Sequence, residues 1–220
     1  MITLVDYNAG NLTSVRRALT HLGIPSQISA DPEVVRRADK IIFPGVGAAG
    51  AAMRTLRERG LDAALKEAFA KGTPILGICI GCQIILEHSE EDDAECLGLL
   101  AGKTVRFRPK LPSPLTPLPA GEEDSCSGVR ERLKIPHMGW NAVTVIQPHP
   151  LLAHLRPGDE LYFVHSYYPQ PADPAHIYAV SDYGGEFPVA IGKDNLFAVQ
   201  FHAEKSGAVG LRVLENFSEQ

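Results

Sequence analysis

Ten residues, Pro74 to Gln83 (Pro-Ile-Leu-Gly-Ile-Cys-Ile-Gly-Cys-Gln), constrain this chain more than any others. A short apolar run passes through Gly77 to Cys79, and Gly81 opens a helical pattern. That order predicts a buried strand turning sharply into a helix, with the side chain at the turn projecting upward as in a nucleophile elbow. The tight turn leaves little room for a Cβ on either side, so glycine at 77 and 81 lets strand and helix approach closely. A thiol there lies at a helix N-terminus, where the macrodipole and unpaired N–H groups favour thiolate and can also hold an oxyanion. The plainer alternative is a core strand and helix whose small apolar residue is a cysteine.

Composition narrows the classes. The chain has 220 residues, 45% hydrophobic and 21% charged, which fits one α/β domain spanning residues 1–220 as the first expectation, with two small domains as the alternative. A net charge of −5 gives no reason to expect nucleic acid or an anionic membrane as a partner. The start, Met1-Ile2-Thr3-Leu4-Val5-Asp6, lacks the basic region and long apolar core of a secretion signal. No apolar run approaches the roughly 20 residues that span a bilayer. Four cysteines (Cys79, Cys82, Cys96, Cys126) do not suggest a disulfide framework and point to a reduced, cytoplasmic protein. Cys79-x-x-Cys82 has two further readings, a redox pair or half of a zinc site. No second such pair follows, and His149 and His154 lie too far away to complete a finger.

Strand and helix patterns alternate through the first half. Ile2–Asp6 reads as a strand, and Asn11 as the cap of a helix with Leu12, Val15, Leu19 and Leu22 on its apolar face. Lys40–Phe43 reads as a strand running into Pro44-Gly45-Val46-Gly47. Leu61, Ala64, Leu65, Ala68 and Phe69 recur at helical spacing before the cysteine strand. The second half offers strand candidates with fewer helices: Lys103–Phe107, Ala142–Ile146, Glu160–Val164, Ile177–Ser181 and Leu196–Phe201. A closing helix carries Val209, Val213 and Phe217. The expected fold is therefore α/β: a mixed, mainly parallel central sheet flanked by helices, with antiparallel additions in the second half. Pro109–Gly128, rich in Pro, Ser and Glu, reads as an exposed loop with no assigned function.

The partners a cysteine nucleophile needs stand near the C-terminus. If Leu196–Glu204 is extended, His202 and Glu204 share one face. A carboxylate beside an imidazole fixes its tautomer and raises its basicity, and the imidazole can then take the thiol proton and return it to a leaving amine. Pro44-Gly45-Val46-Gly47 follows a strand and can offer backbone N–H groups to developing negative charge, though an ordinary turn looks the same. It lacks the Lys-Ser/Thr ending of a phosphate loop.

Taken together these residues resemble the class I, triad-type glutamine amidotransferases. More closely, the chain is similar to the glutaminase subunits that serve a separate cyclase subunit in histidine biosynthesis. Asp6-Tyr7-Asn8-Ala9-Gly10-Asn11-Leu12 with Ser14, the Pro44–Gly47 loop and Gly77–Gln83 carry the likeness in the first half. Pro136-His137-Met138-Gly139-Trp140-Asn141, Tyr162-Phe163-Val164-His165-Ser166-Tyr167 and Phe201-His202-Ala203-Glu204-Lys205-Ser206 carry it in the second.

The resemblance implies that Cys79 attacks the side-chain amide of glutamine, His202 shuttles the proton and Glu204 holds His202. Backbone N–H groups of Val46, Gly47 and Ile80 would form the oxyanion hole, and Gln83, Glu91, Ser166 and Tyr167 would grip the substrate. Met138, Trp140, Tyr162 and Lys205 would lie near the contact with the cyclase, a (β/α)₈ barrel and heterodimer partner. No cofactor and no metal is implied. Three residues depart from the family pattern: Asn8 where glycine is usual, Cys82 where methionine is usual, and Ala203 where proline usually separates His and Glu. Rival readings are a glutaminase serving another synthase, a cysteine peptidase or deglycase-like enzyme, and a non-catalytic regulator.

Overall fold

A computed structural model describes residues 1–8, 10–108 and 134–220. The Pro109–Gly128 loop expectation and Cys126 lie outside the described residues. Eight strands form the central sheet in the order Ser26–Ser29, Ile2–Val5, Lys40–Gly45, Ile75–Cys79, Leu196–Val199, Glu186–Lys193, Ile177–Asp182, Thr144–Val145. The first five run parallel. The last three are added antiparallel, as the second half of the sequence implied.

Both faces of the sheet are covered, which is why its strands read as continuous apolar runs. Along Lys40–Gly45, Ile41 and Phe43 point to one face, into a core with Leu56, Leu61 and Leu65 from the helices Ala49–Glu58 and Leu61–Ala70. Ile42 points to the other face, toward Val15 and Leu19 of Leu12–His21 and Val213, Leu214 and Phe217 of Gly207–Glu219. Two small sheets sit beyond the C-terminal edge of the parallel strands: Glu160–His165 with His137–Ala142, and a four-stranded set that includes Gly102–Arg106 and Tyr167–Pro171.

Two strand expectations shift. The Ala142–Ile146 run divides: Ala142 ends a strand paired to Glu160, whereas Val145 pairs with Ala179 in the central sheet. Between them Val143 is buried and its N–H bonds to Asp159 O at 3.1 Å, so the chain changes sheets at that point. Leu196–Phe201 is strand only to Val199; Gln200 still donates to Val189 O at 2.8 Å, and the chain then bends away.

The close approach inferred for the glycines is met at the turn. A Cβ on Gly81 would sit 1.9 Å from Phe43 O, and one on Gly77 would sit 2.9 Å from Gly81 O. Both neighbours are backbone and cannot swing aside. Gly81→Ala is therefore expected to cost about 3 kcal/mol or more, lowering the melting temperature by roughly 6–12 °C for a chain of this size. Thermal unfolding checks this, and an unchanged melting temperature would remove the close-approach argument.

Candidate active site

The strand Ile75–Cys79 ends where the helix Ile80–Ile84 begins, and Cys79 at the junction has φ 57° and ψ −107°. A non-glycine residue held at positive φ is strained by about 1–3 kcal/mol, which persists only where the surroundings impose it. Here they do: the parallel sheet fixes the strand, and the packing of Gly81 on Phe43 fixes the helix.

His202 and Glu204 meet the elbow from the other side of the sheet's carboxyl edge. They do so by a different geometry from the one the sequence suggested. Ala203–Lys205 is one turn of 3₁₀ helix, so strand alternation is not what aligns the two side chains. The turn brings Glu204 Oε1 to 2.8 Å from His202 Nδ1, and both side chains are fully buried. A carboxylate only accepts, so His202 carries its proton on Nδ1 and leaves Nε2 free to accept. Nε2 and Glu204 Oε2 have no hydrogen-bond partner. Burial alone would depress the imidazole's pKa. Attraction to the Cys79 sulfur and the Glu204 carboxylate outweighs it, raising His202 to about 9. Burial likewise opposes ionisation of Glu204, but the bonds from His202 and Asn11 hold its pKa below the ordinary carboxylate value. Ala203, the departure from the usual proline, is wholly buried and removes none of these contacts.

Asn11 is a correction. It takes φ 74° and makes no side-chain cap to its helix. Its amide instead crosses the fold, with Nδ2 2.5 Å from Glu204 Oε1 and 3.3 Å from His202 Nδ1. Since Nδ1 already carries a proton, the carboxylate is the acceptor. Asparagine tolerates the left-handed region, and the same freedom that suits a cap lets the side chain turn inward. Asn8 also has positive φ, 62°, in a turn closed by its N–H on Asp6 Oδ1 at 3.0 Å.

A cavity of about 290 Å³ opens above Cys79. Val46, Gly47, Ile80, Gln83, Glu91, Ser166 and Tyr167 all line it, so every residue the sequence nominated for the oxyanion hole and the substrate meets the nucleophile in one space. Gly47 has φ 110°, a conformation that glycine adopts without strain. Glu91 Oε2 accepts from Ala49 N at 2.8 Å at the start of a helix. Burial raises its carboxyl pKa against that bond. A larger groove of about 640 Å³ beside His154, Arg156 and Arg212 contains none of the nominated residues.

Met138 and Trp140 are exposed on His137–Ala142, opposite Val164 and Tyr162 of Glu160–His165. The Trp140 and Tyr162 rings lie 6.0 Å apart, edge to face. Lys205 is exposed one residue beyond Glu204.

On the buried face of the same ribbon sits a pair the sequence reasoning passed over. His165 Nδ1 lies 2.8 Å from Tyr167 O and must donate; its Nε2 then accepts from His137 Nδ1 at 3.2 Å. His137 stacks on Tyr183, ring centroids 4.0 Å apart. Burial pushes both rings down, His137 to about 4 and His165 to about 3. In the unfolded chain each takes up a proton near pH 6.5. Between pH 6.5 and about 4 the unfolded state therefore binds more protons, and stability falls as pH falls, by up to about 1.4 kcal/mol per pH unit for each ring. Replacing both by glutamine should flatten the acid side of a stability–pH curve; a slope equal to the parent's would contradict this.

Cys82 and Cys96 are buried free thiols. Burial, and for Cys82 the nearby Cys79, push their pKa values up, that of Cys96 to about 11. They are held as thiols, poor nucleophiles beside Cys79. Among the described residues, no group of three or more His, Cys, Asp or Glu could hold a metal ion.

An elbow cysteine, a carboxylate-held imidazole whose outer nitrogen has no other partner, and a small cavity of mixed lining define an acyl-transfer enzyme that works through a thiol. The chain belongs to the class-I glutamine amidotransferase family, whose model matches residues 3–220. Within that family it is most informatively compared with imidazole glycerol phosphate synthase subunit HisH. It is 48% identical to that subunit of Desulfovibrio desulfuricans over 219 residues, covering 100% of this chain and 94% of the relative. Identity to the same subunit of Nitratidesulfovibrio vulgaris is 48% over 217 residues, covering 99% and 95%. A crystal structure of a glutamine amidotransferase superposes with a TM-score of 0.70 at 17% identity, covering 100% of this chain and 98% of that one. PurLQS from Thermotoga maritima gives 0.69 at 17%, covering 99% and 97%. These last two speak for the fold.

Proposed function

We infer that this chain is the glutaminase subunit of an imidazole glycerol phosphate synthase, forming one amidotransferase domain over residues 1–220. What carries the reading is the free Nε2 of a Glu204-held His202 beside the strained Cys79 elbow. The full-length likeness to HisH subunits supports it.

In this reading the Cys79 thiol proton rests on His202 Nε2, since a ring raised to about 9 holds it near neutrality, and the sulfur attacks the amide carbon of glutamine. Backbone N–H groups of Val46, Gly47 and Ile80 meet the oxyanion. His202 returns the proton to the departing nitrogen, ammonia leaves, and a γ-glutamyl thioester remains. Water, deprotonated by His202, hydrolyses the thioester to glutamate and restores the thiol. Glu204 keeps the ring in one tautomer and stabilises its cation. Gln83, Glu91, Ser166 and Tyr167 hold the amino-acid end of the substrate. The chemistry uses side chains, backbone and water.

Ammonia takes up a proton in neutral water and loses its nucleophilicity, so it should pass directly to an acceptor site. We place the cyclase subunit, a (β/α)₈ barrel, against Met138, Trp140, Tyr162 and Lys205, in the cytoplasm; among the described residues no helix is long and apolar enough to cross a membrane. A diazoketone analogue of glutamine should alkylate Cys79 with loss of dinitrogen, adding its mass less N₂ there and not at Cys82, Cys96 or Cys126. Glutamine hydrolysis should be slow in the isolated chain and rise when the cyclase carries its nucleotide ligand. Labelling elsewhere, or equal turnover with and without the liganded partner, would overturn the respective part.

A further inference from the structure

Gln200 stands one residue past the strand Leu196–Val199 and is fully buried. No sequence argument gave it a role. Its side chain belongs to a short series of amides whose orientations are forced. Gln83 Nε2 donates to Tyr167 O at 2.8 Å and to Gln200 Oε1 at 3.0 Å. A backbone carbonyl only accepts, so Gln83 must turn its NH₂ group toward Tyr167. Its second N–H then needs an acceptor, which places the Gln200 oxygen on that side and the Gln200 NH₂ group on the other. There it faces the nucleophile: Gln200 Nε2 lies 3.9 Å from Cys79 Sγ, the outer reach of an N–H···S contact. Turning Gln83 over would set its oxygen against two acceptors, and turning Gln200 over would set donor against donor, in a buried place where either is costly.

We propose that Gln200 is a further catalytic residue of the glutaminase reaction: its amide N–H orients the Cys79 sulfur and stabilises its anionic form, and Gln83 holds that amide in the donating orientation. This rests on the glutaminase reading above. A donor aimed at sulfur suits a thiolate better than a thiol, because the thiolate is the stronger acceptor. Unlike His202, an amide cannot take the proton, so the two contacts divide the work: Gln200 aims the sulfur and His202 deprotonates it. The series also ties the sulfur to Tyr167, so a shift of that cavity wall reaches the nucleophile through two hydrogen bonds and the N–H···S contact.

The test is the pH dependence of Cys79 alkylation by iodoacetamide in the full chain, followed by peptide mass. In Gln200→Met the pH of half-maximal rate should rise by about one unit, roughly a tenfold slower reaction at neutral pH. Gln200→Glu, with a carboxylate of the same shape, should move it further in the same direction. A loss of stability alone would lower the folded fraction without moving that midpoint, and a Gln200→Met profile lying on the parent's overturns the proposal. If Gln200→Met does not fold, Gln83→Met becomes the arbiter: it leaves Gln200 in place but frees its amide to turn, and should shift the midpoint by a smaller amount. An unmoved midpoint there overturns the proposal as well. Labelling of the parent by the glutamine diazoketone is run in parallel. Its failure alongside a shifted alkylation profile would remove the glutaminase assignment while upholding the Gln200–Cys79 contact.

Discussion

Cys79→Ser is expected to lower glutamate release in the presence of the cyclase partner by at least ~10³-fold, with the fold and melting temperature unchanged. Oxygen for sulfur alters the side chain by little in size, and the elbow is set by backbone: φ 57° at residue 79, parallel pairing on both sides of the strand, and Gly81 against Phe43. What changes is the nucleophile. An alcohol is a far weaker acid than a thiol, and loss of one member of a nucleophile–base pair removes most of what the pair contributes, up to ~10⁶ in comparable enzymes. Cyclase activity of the complex supplied with ammonium should survive, because it bypasses the thioester. A variant that kept more than a tenth of the parent's glutamine turnover would show that another group is the nucleophile.

Much of this site was legible in the sequence because its parts sit where the backbone is most constrained. A glycine that must lack a Cβ, as at 81, leaves a mark no other residue can substitute for. The parallel strands were visible for the same reason: burial on both faces writes an unbroken apolar run. Cys79, His202 and Glu204 were found by type and local spacing, and the cavity gathers Val46, Gly47, Ile80, Gln83, Glu91, Ser166 and Tyr167 around the first of them.

What was not legible is long-range and polar. Asn11 read as a helix cap because asparagine favours caps whatever its side chain finally does. Only the fold places it beside Glu204, 193 residues away. Gln200 looked like one polar position in a strand, and its reach to Cys79 depends on a bend after Val199 that no local pattern announced. His137 and His165 were quoted within motifs but given no role, since their pairing follows from the antiparallel register of two distant strands. The His-x-Glu alignment was inferred from strand alternation and is met through a 3₁₀ turn. A two-residue spacing was informative, but the reason attached to it was not the physical one.

That turn makes Glu204→Gln the sharper probe of the constellation. Glutamine has the size of glutamate, so packing is preserved, but it brings an NH₂ group that can face the Nδ1–H of His202 and carries no charge to stabilise the imidazolium. The carboxylate is one of the causes that lift His202 to about 9 against burial. Removing it should bring the ring's titration, followed by NMR, down from that value, since desolvation is then opposed by the sulfur alone. Turnover should fall by up to ~10⁴-fold, the loss seen when the orienting acid of a comparable triad becomes its amide. Asn11→Leu gives the graded counterpart. It takes one donor from Glu204 Oε1 and leaves the charge, so the carboxyl should hold its proton to higher pH. The acid limb of the rate profile then moves upward, with the loss confined to acid pH and the rate near neutrality close to the parent's. If Glu204→Gln left both the His202 titration and the rate near those of the parent, the hydrogen bond at 2.8 Å would be a packing contact, and proton transfer would need a different partner for His202.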